Sequence, residues 1–221
     1  MAAPLLQGAL IDSSNFVEGA SLVDLGYATL SASGTFHIET TYGYSGVGVG
    51  TGLATDLPRE IQGGELITIT FLTPVYINFI DLSLLYTGAP DPNFGPAGDE
   101  TNEIADIKGY GAVNVFGTLQ PTGPMTATWT GPGSVTNLAP AIVDSAGAWR
   151  INNPFGAALI TSIEFNVVTK GPPDVTHPVR DSDYALVGVD FSEIPEPTTM
   201  VLAGLGLAAM GASRRWRKTH L

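Results

Sequence analysis

Alternation of apolar and polar residues with a period of two is the feature that most constrains the fold of this chain. It is clearest over residues 65–72, Glu-Leu-Ile-Thr-Ile-Thr-Phe-Leu, and it continues over residues 75–86. Successive side chains of a β-strand point to opposite faces of a sheet, so this period is typical of strands with one buried face. The chain is therefore predicted to be built from strands.

Further segments rich in β-branched and aromatic residues are also predicted as strands. They are residues 35–42, 103–107, 110–116, 125–130, 148–151, 159–169 and 184–191. Turn-forming sequences lie between them, among them Gly-Pro-Gly-Ser at 131–134. No amphipathic helix separates the strands, which disfavours a parallel α/β sheet. We predict an all-β fold, a two-sheet antiparallel sandwich of the jelly-roll kind, followed by one C-terminal transmembrane helix.

Charge divides the chain into two unequal parts. Residues 1–197 hold all 21 acidic residues and five of the nine basic ones, a net charge of −16, whereas residues 198–221 carry only bases. An acidic body repels phosphate backbones, so we expect no nucleic-acid partner. The chain has no cysteine, which excludes disulfides, thiolate metal sites and a cysteine nucleophile.

The C-terminal segment has the composition of a membrane-spanning element. Residues 198–213 carry no charge, and four basic residues follow them: Arg214, Arg215, Arg217 and Lys218. A helix of this length rises roughly 24 Å, and Trp216 with the basic side chains can extend its reach towards the ~30 Å hydrocarbon core. We predict a transmembrane helix over about 198–213, with its basic end in the cytoplasm and the body outside. A buried core helix is the alternative.

The order Pro195-Glu196-Pro197, uncharged segment, terminal arginine cluster resembles the PEP-CTERM sorting signal over about residues 194–221. The resemblance implies that an exosortase, a membrane peptidase-transferase, recognises the tail while it lies transiently in the inner membrane. The enzyme would cut near Pro-Glu-Pro and transfer the body, residues 1–193, to the cell surface. It also implies a host that makes extracellular polysaccharide. A permanently anchored protein is a further alternative.

The N-terminal residues do not resemble a secretory signal. Members of this family carry a cleavable signal peptide, which needs a basic n-region before its apolar stretch. No basic residue precedes Arg59 in this sequence. We expect that the signal peptide is missing from this sequence and that the natural start lies upstream.

The long acidic segment 87–103 is a candidate calcium site. Its candidate ligands are Asp91, Asn93, Asp99, Glu100 and Glu103, and calcium takes six to eight oxygen ligands. The spacing does not fit an EF-hand, because Pro96 stands where that loop requires glycine. A solvated acidic loop is the alternative. Asp174, Asp181 and Asp183 form a second acidic segment.

Aromatic residues suggest a surface for sugars. Trp129, Trp149 and Tyr110 are the candidates, since flat rings pack on the apolar faces of sugars. The alternative is that both tryptophans belong to the core. The glycine run 46–52 matches no nucleotide-binding motif and is interpreted as a strand or hairpin.

Catalysis has little support in the sequence. A G-x-S-x-G motif is lacking, and His37 and His177 are isolated. We therefore predict no catalytic residues and no certain cofactor. The expected function is a non-catalytic surface or biofilm-matrix protein, structural or glycan-binding, with exosortase and extracellular polysaccharide as partners. A secreted glycoside hydrolase, which needs two carboxylates, is the alternative.

Overall fold

The computed structural model describes residues 9–50, 60–86, 103–141, 147–168 and 183–193, and all structural statements concern these residues. They form antiparallel strands and one 3-10 turn, Ser13–Asn15, without any α-helix. The strands are β1 (Ala9–Asp12), β2 (Leu22–Asp24), β3 (Ala28–Ala32), β4 (Thr35–Thr41), β5 (Tyr44–Gly50), β6 (Ile67–Ser83), β7 (Ala105–Gly111), β8 (Val115–Gly123), β9 (Thr126–Trp129), β10 (Ser134–Asn137), β11 (Trp149–Asn152), β12 (Ile160–Val167) and β13 (Ala185–Glu193). The predicted antiparallel all-β class is confirmed.

The long strand β6 is the axis of the fold. Its first half pairs with β3 and β12, and its second half pairs with β11 and β13. We call the strands on the first half, in the order β2-β3-β6-β12-β7-β8-β9, the first array. The strands on the second half, β4-β5-β13-β6-β11-β10 with β1 also on β13, are the second array. Because β6 belongs to both arrays, the strands form one hydrogen-bonded network.

A bulge divides the two halves of β6. Thr70 pairs with Ser162 and Val75 with Ile160, so the four residues 71–74 stand opposite Thr161 alone. Pro74 explains the irregularity, since proline has no N–H for the ladder and is confined to edges and bulges within sheets. The bulge projects Leu72 into solvent, where its side chain is 78% exposed.

One hydrophobic core contains buried side chains from both arrays. Phe191 of β13 illustrates this, because its ring lies 4.9 Å from Phe71 of β6 and 5.8 Å from Tyr27 at the start of β3. Buried residues alternate with polar ones along β7 and β12, as the period of two predicted.

Residues 46–50 of the glycine run belong to the strand β5, in agreement with the interpretation as a strand or hairpin, and residues 51–52 lie outside the described residues. Tyr42 and Gly43 have φ of 52° and 85°, the positive values that a tight two-residue hairpin turn requires between β4 and β5. A Cβ at Gly46 would stand 2.5 Å from the Cβ of Ala185. Glycine at this position therefore lets β5 approach β13 closely.

The structure corrects one predicted strand and does not describe the predicted transmembrane helix. The strand predicted over 110–116 is wrong, because residues 112–114 form the turn between β7 and β8. The side-chain oxygen of Asn114 accepts a bond from the Gly111 amide at 3.4 Å, as asparagine commonly does in turns. The predicted transmembrane helix lies outside the described residues, among which no helix is long and apolar enough to cross a membrane.

Candidate functional site

The outer face of the first array carries a polar surface with exposed aromatic rings. On β7 the side chains of Asp106, Lys108 and Tyr110 alternate with the buried residues Ala105 and Ile107. The same alternation places polar side chains of the neighbouring strands on this face, namely Ser162, Glu164 and Asn166 of β12 and Phe116, Thr118 and Gln120 of β8.

The strand register brings these side chains into contact. Glu164, Lys108 and Phe116 lie side by side on three adjacent strands. The Tyr110 hydroxyl donates a hydrogen bond of 2.8 Å to Glu164, and its ring meets that of Phe116 edge to face at 5.6 Å. Lys108 lies 2.9 Å from Asp106. We call Asp106, Lys108, Tyr110, Phe116 and Glu164 the aromatic–acid patch.

Charges within the aromatic–acid patch favour the protonated forms of two of its members. The hydrogen bond to Glu164, together with burial, raises the pKa of the Tyr110 hydroxyl. The hydrogen bond to Asp106 raises the pKa of the Lys108 ammonium above its usual value, against the effect of burial. Both groups therefore keep their protons at neutral pH and remain donors.

The chemistry of the aromatic–acid patch suits a flat polar ligand with an apolar face. Phe116 is 52% exposed, so its ring is open to stacking. Carboxylates and an ammonium group surround it as acceptors and donors. Sugar rings present this combination of hydroxyls around an apolar face, and aromatic faces with convergent polar groups are typical of sites that bind them.

Tyr110 is the member of the aromatic–acid patch that the sequence prediction named, and the two tryptophans lie elsewhere. Trp149 of β11 is only 2% exposed and donates its indole N–H to the Leu85 carbonyl at 2.9 Å. A ring so deeply buried offers no face to a sugar in solvent, so Trp149 is a core residue.

Trp129 packs on the inner side of β8 as a half-buried neighbour of the core. A Cβ at Gly117 would stand 2.3 Å from its ring, so glycine at this position makes room for the indole. The indole N–H donates to the Pro132 carbonyl at 2.6 Å. Trp129 and Tyr110 therefore lie on opposite faces of the first array and do not form a common platform.

Sequence reasoning missed four members of the aromatic–acid patch: Phe116, Lys108, Glu164 and Asp106. The alternation over 105–111 and 160–167 could have placed three of them on one exposed face. Their proximity to one another depends on the pairing of β12 with β7, which joins residues about fifty positions apart.

Among the five predicted calcium ligands, Glu103 lies within the described residues, and the other four lie outside them. Glu103 is 3% exposed, and its carboxylate accepts a hydrogen bond from the Tyr86 amide. The described residues contain no group of three or more acidic or histidine side chains that could hold a metal ion. Glu103 thus joins the two ends of the acidic segment, and the calcium site stays a prediction.

Both acidic segments start from the same end of the fold. Residues 84–104 connect β6 to β7, and residues 168–184 connect β12 to β13. Val167 is paired with Ala105, and Ala185 with Ser83. The Tyr184 hydroxyl bonds the Asn166 carbonyl, so the strand ends that flank these segments lie close together. Of the second acidic segment, Asp183 is described and is 7% exposed.

A second polar cluster lies on the outer face of the second array. Arg150 of β11 forms two hydrogen bonds with Asp81 of β6, at 2.7 and 2.8 Å. Its guanidinium group also lies 3.7 Å from the ring centre of Phe79. The hydrogen bonds to Asp81 raise the pKa of Arg150, opposed by burial. Since these groups satisfy one another, we interpret the cluster as structural.

His37 is isolated in sequence but not in space. Its Nδ1 atom lies 2.7 Å from Glu18 and its Nε2 atom 3.1 Å from the Thr35 hydroxyl. The hydroxyl donates to the Gly50 carbonyl, and Glu18 also accepts from the Ile38 amide at 2.7 Å. These bonds hold the segment before β2 against β4, which accounts for the arrangement without catalysis.

The sorting signal begins where the described domain ends. A family model described as the PEP-CTERM protein-sorting motif matches residues 193–218. The chain carries a PEP-CTERM sorting motif. The predicted sorting residues Pro195, Glu196 and Pro197 and the basic residues 214–218 fall within the match and lie outside the described residues. No curated protein and no solved structure matches the chain.

The PEP-CTERM motif implies a membrane-anchored precursor that an exosortase processes for export to the cell surface. The match starts at Glu193, which is also the last residue of β13. The folded domain and the sorting motif are therefore directly consecutive in the chain.

Proposed function

We propose that this exported protein serves at the cell surface or in the extracellular matrix as a non-catalytic module that binds polysaccharide through the aromatic–acid patch. The observation that carries the proposal is the exposed ring of Phe116 beside Tyr110, with Glu164 and Lys108 in register with it. An exposed sheet face of this kind can accept an extended polymer, because it does not enclose the two ends of the bound chain.

Binding is favoured over hydrolysis because the carboxylates of the aromatic–acid patch are paired with neighbouring side chains. Glu164 accepts a bond from Tyr110, and Asp106 is paired with Lys108. Both carboxylates therefore already have a bonding partner within the patch, whereas a glycoside hydrolase needs one carboxylic acid that protonates the leaving oxygen and a second carboxylate that acts as base or nucleophile. A carbohydrate-active enzyme is the alternative, and release of reducing sugar from the bound polymer would favour it.

The same proposal includes a sandwich arrangement of the two arrays. Phe71 of the first array contacts Phe191 of the second, and one core takes side chains from both. Two sheets that share such a core pack face to face in sandwich folds. The aromatic–acid patch then occupies one of the two outer faces.

Calcium is proposed as a stiffening ion at the end from which both acidic segments start. Glu103 anchors one segment and Asp183 ends the other. The test is thermal unfolding of residues 1–193 with calcium and with EDTA. A higher unfolding temperature with calcium that is lost in the variant Asp99→Asn/Glu100→Gln supports the site, and identical curves contradict it.

Sugar binding is tested by a glycan array on residues 1–193, in calcium and in EDTA. Binding to particular polysaccharides that Phe116→Ala weakens supports the proposal. Wild-type protein that binds no glycan contradicts it, and binding that Phe116→Ala leaves unchanged places the site elsewhere. In a producing host, the mass of the mature C-terminus tests processing: a mature chain that retains Trp216 would count against cleavage near Pro-Glu-Pro.

A further inference from the structure

The last residue of strand β13 lies at one particular end of the domain. This residue, Glu193, is paired with Val75 of β6, and Val75 is also paired with Ile160 of β12. Ile160 is in turn paired with Gly111, the last residue of β7. These four residues form a row across the domain, which we call the exit end.

The distance from the exit end to the membrane is short. Residues 194–197 separate Glu193 from Thr198, the first residue of the uncharged segment. At ~3.5 Å per residue, the five residue steps from Glu193 to Thr198 span at most about 17 Å even when fully extended. The headgroup layer occupies roughly 5–7 Å of that span on each side of the hydrocarbon core. An anchored precursor therefore holds its exit end at or near the headgroups.

The surface around the exit end differs from the rest of the acidic body. The bulge 72–74, the β7–β8 turn 112–114 and the segment before β12, residues 156–159, contain no charged residue. Leu72 is 78% exposed and Val113 is 65% exposed, so the two segments that flank the row project apolar side chains. Glu193 in the row and Asp24 before the β2–β3 turn, which bonds the bulge through Tyr27, are the acidic residues here. The segments around Leu72 and Val113 are uncharged and partly apolar, which suits contact with lipid in a body with a net charge of −16 over residues 1–197.

We propose that the exit end rests on the bilayer while the precursor is anchored, with Leu72 and Val113 inserted among the lipid headgroups. The partner of the exit end is the lipid bilayer, because the short connection to the uncharged segment necessarily places the exit end beside it. The inference rests on the proposed membrane-anchored precursor and adds the orientation of the domain. The aromatic–acid patch adjoins the exit end at Tyr110, next to Gly111, but its side chains project from a sheet face rather than from the end.

The absence of cysteine from the sequence makes a direct test possible. Leu72→Cys and Val113→Cys are introduced singly into the full chain and labelled with an environment-sensitive fluorophore. Met125→Cys is the matched control, because Met125 is an apolar residue that is 46% exposed in the turn between β8 and β9. The eight residue steps from Val115 to Gly123 place this turn about 26 Å from the β7–β8 turn, towards the opposite end.

The labelled chains are reconstituted into vesicles of phosphatidylethanolamine and phosphatidylglycerol, with and without a brominated lipid that quenches fluorescence on contact. We expect the labels at 72 and 113 to show blue-shifted emission and several-fold stronger quenching than the label at 125. Equal quenching at the three positions in vesicle-bound protein would overturn the orientation alone. Failure of the chain to float with the vesicles would overturn the anchored precursor, and the orientation with it.

Discussion

The buried hydroxyl of Tyr184 donates a hydrogen bond of 2.9 Å to the backbone carbonyl of Asn166. Tyr184 enters β13 in the second array, and Asn166 belongs to β12 in the first. The side chain of Tyr184 is fully buried, so water cannot replace the bond when it is broken. The pair therefore ties the two arrays together at the end opposite the exit of β13.

Removal of this hydroxyl tests its contribution to stability. Tyr184→Phe leaves the carbonyl of Asn166 without this donor, which should lower the free energy of unfolding by about 1–2 kcal/mol. Tyr44→Phe is the control: its hydroxyl also donates at 2.9 Å, to the Leu138 carbonyl, but from a half-buried side chain. Urea unfolding of residues 1–193 measures both. Equal losses in the two variants would contradict the assigned role of burial.

Stability at alkaline pH should also depend on Tyr184. Burial raises the pKa of its hydroxyl well above the usual value, so the unfolded chain releases this proton first. Stability is unaffected below the unfolded pKa of about 10 and falls as pH rises from there towards the folded pKa, by at most about 1.4 kcal/mol per pH unit for this group. Tyr184→Phe should show a shallower fall.

The measurement is the free energy of unfolding of wild type and Tyr184→Phe at a series of pH values on either side of pH 10. Some slope remains in the variant, because the pKa values of Tyr27 and Tyr110 are raised as well. Parallel curves for the two proteins would show that Tyr184 does not contribute to the alkaline loss.

The ion pair between Arg150 and Asp81 should contribute more to stability than the pair between Lys108 and Asp106. Arg150→Met leaves the nearly buried Asp81 carboxylate without its two bonds, at a cost of about 2 kcal/mol, below the full cost of a buried pair because the arginine is partly exposed. Lys108→Met, which breaks the more open pair with Asp106, should cost less than about 1 kcal/mol.

Arg150→Lys separates charge from geometry in this cluster. Lysine keeps the positive charge but cannot form the forked pair with the carboxylate or stack flat on Phe79. Its stability in urea should lie between those of wild type and Arg150→Met. Wild-type stability in Arg150→Lys would mean that charge alone accounts for the interaction.

Phe116→Ala should weaken polysaccharide binding without affecting the fold. The ring is half exposed, so its removal should leave the unfolding temperature nearly unchanged, whereas loss of stacking should weaken binding roughly tenfold, about 1.4 kcal/mol. Leu22→Ala is the control, because Leu22 is 62% exposed on β2, remote from the aromatic–acid patch. Titration calorimetry with the glycan that the array identifies measures both, and equal affinities would remove Phe116 from the site.

Local patterns predicted the strands whose faces alternate strongly. The period of two in residues 65–72 and 75–86 is the pattern of β6, although these were predicted as two stretches where the structure has one strand with a bulge. The strands β2 and β3 were missed because they are three and five residues long and carry only short apolar stretches. Pairing of β3 with β6 and of β2 with β3, rather than their own sequence, makes them strands.

The candidate site was less predictable than the fold. Tyr110 was named, but the hydrogen bond to Glu164 joins residues 54 positions apart and depends on the register of β7 with β12. The tryptophans were ambiguous, since period and composition do not distinguish a buried ring from an exposed one. The sorting motif was recognisable because its information is linear, in the order of three short segments, and needs no fold to be read.

The strand that closes the described domain is also the last one to be made. β13 pairs with β1, β5 and the second half of β6, so an emerging chain keeps open edges on these strands until residues 185–193 have crossed the membrane. The sorting motif begins at Glu193. A chain that breaks off early thus lacks both the closing strand and the signal, and only full-length chains present themselves for transfer. The position of the sorting motif after β13 therefore restricts processing to chains that contain the whole domain.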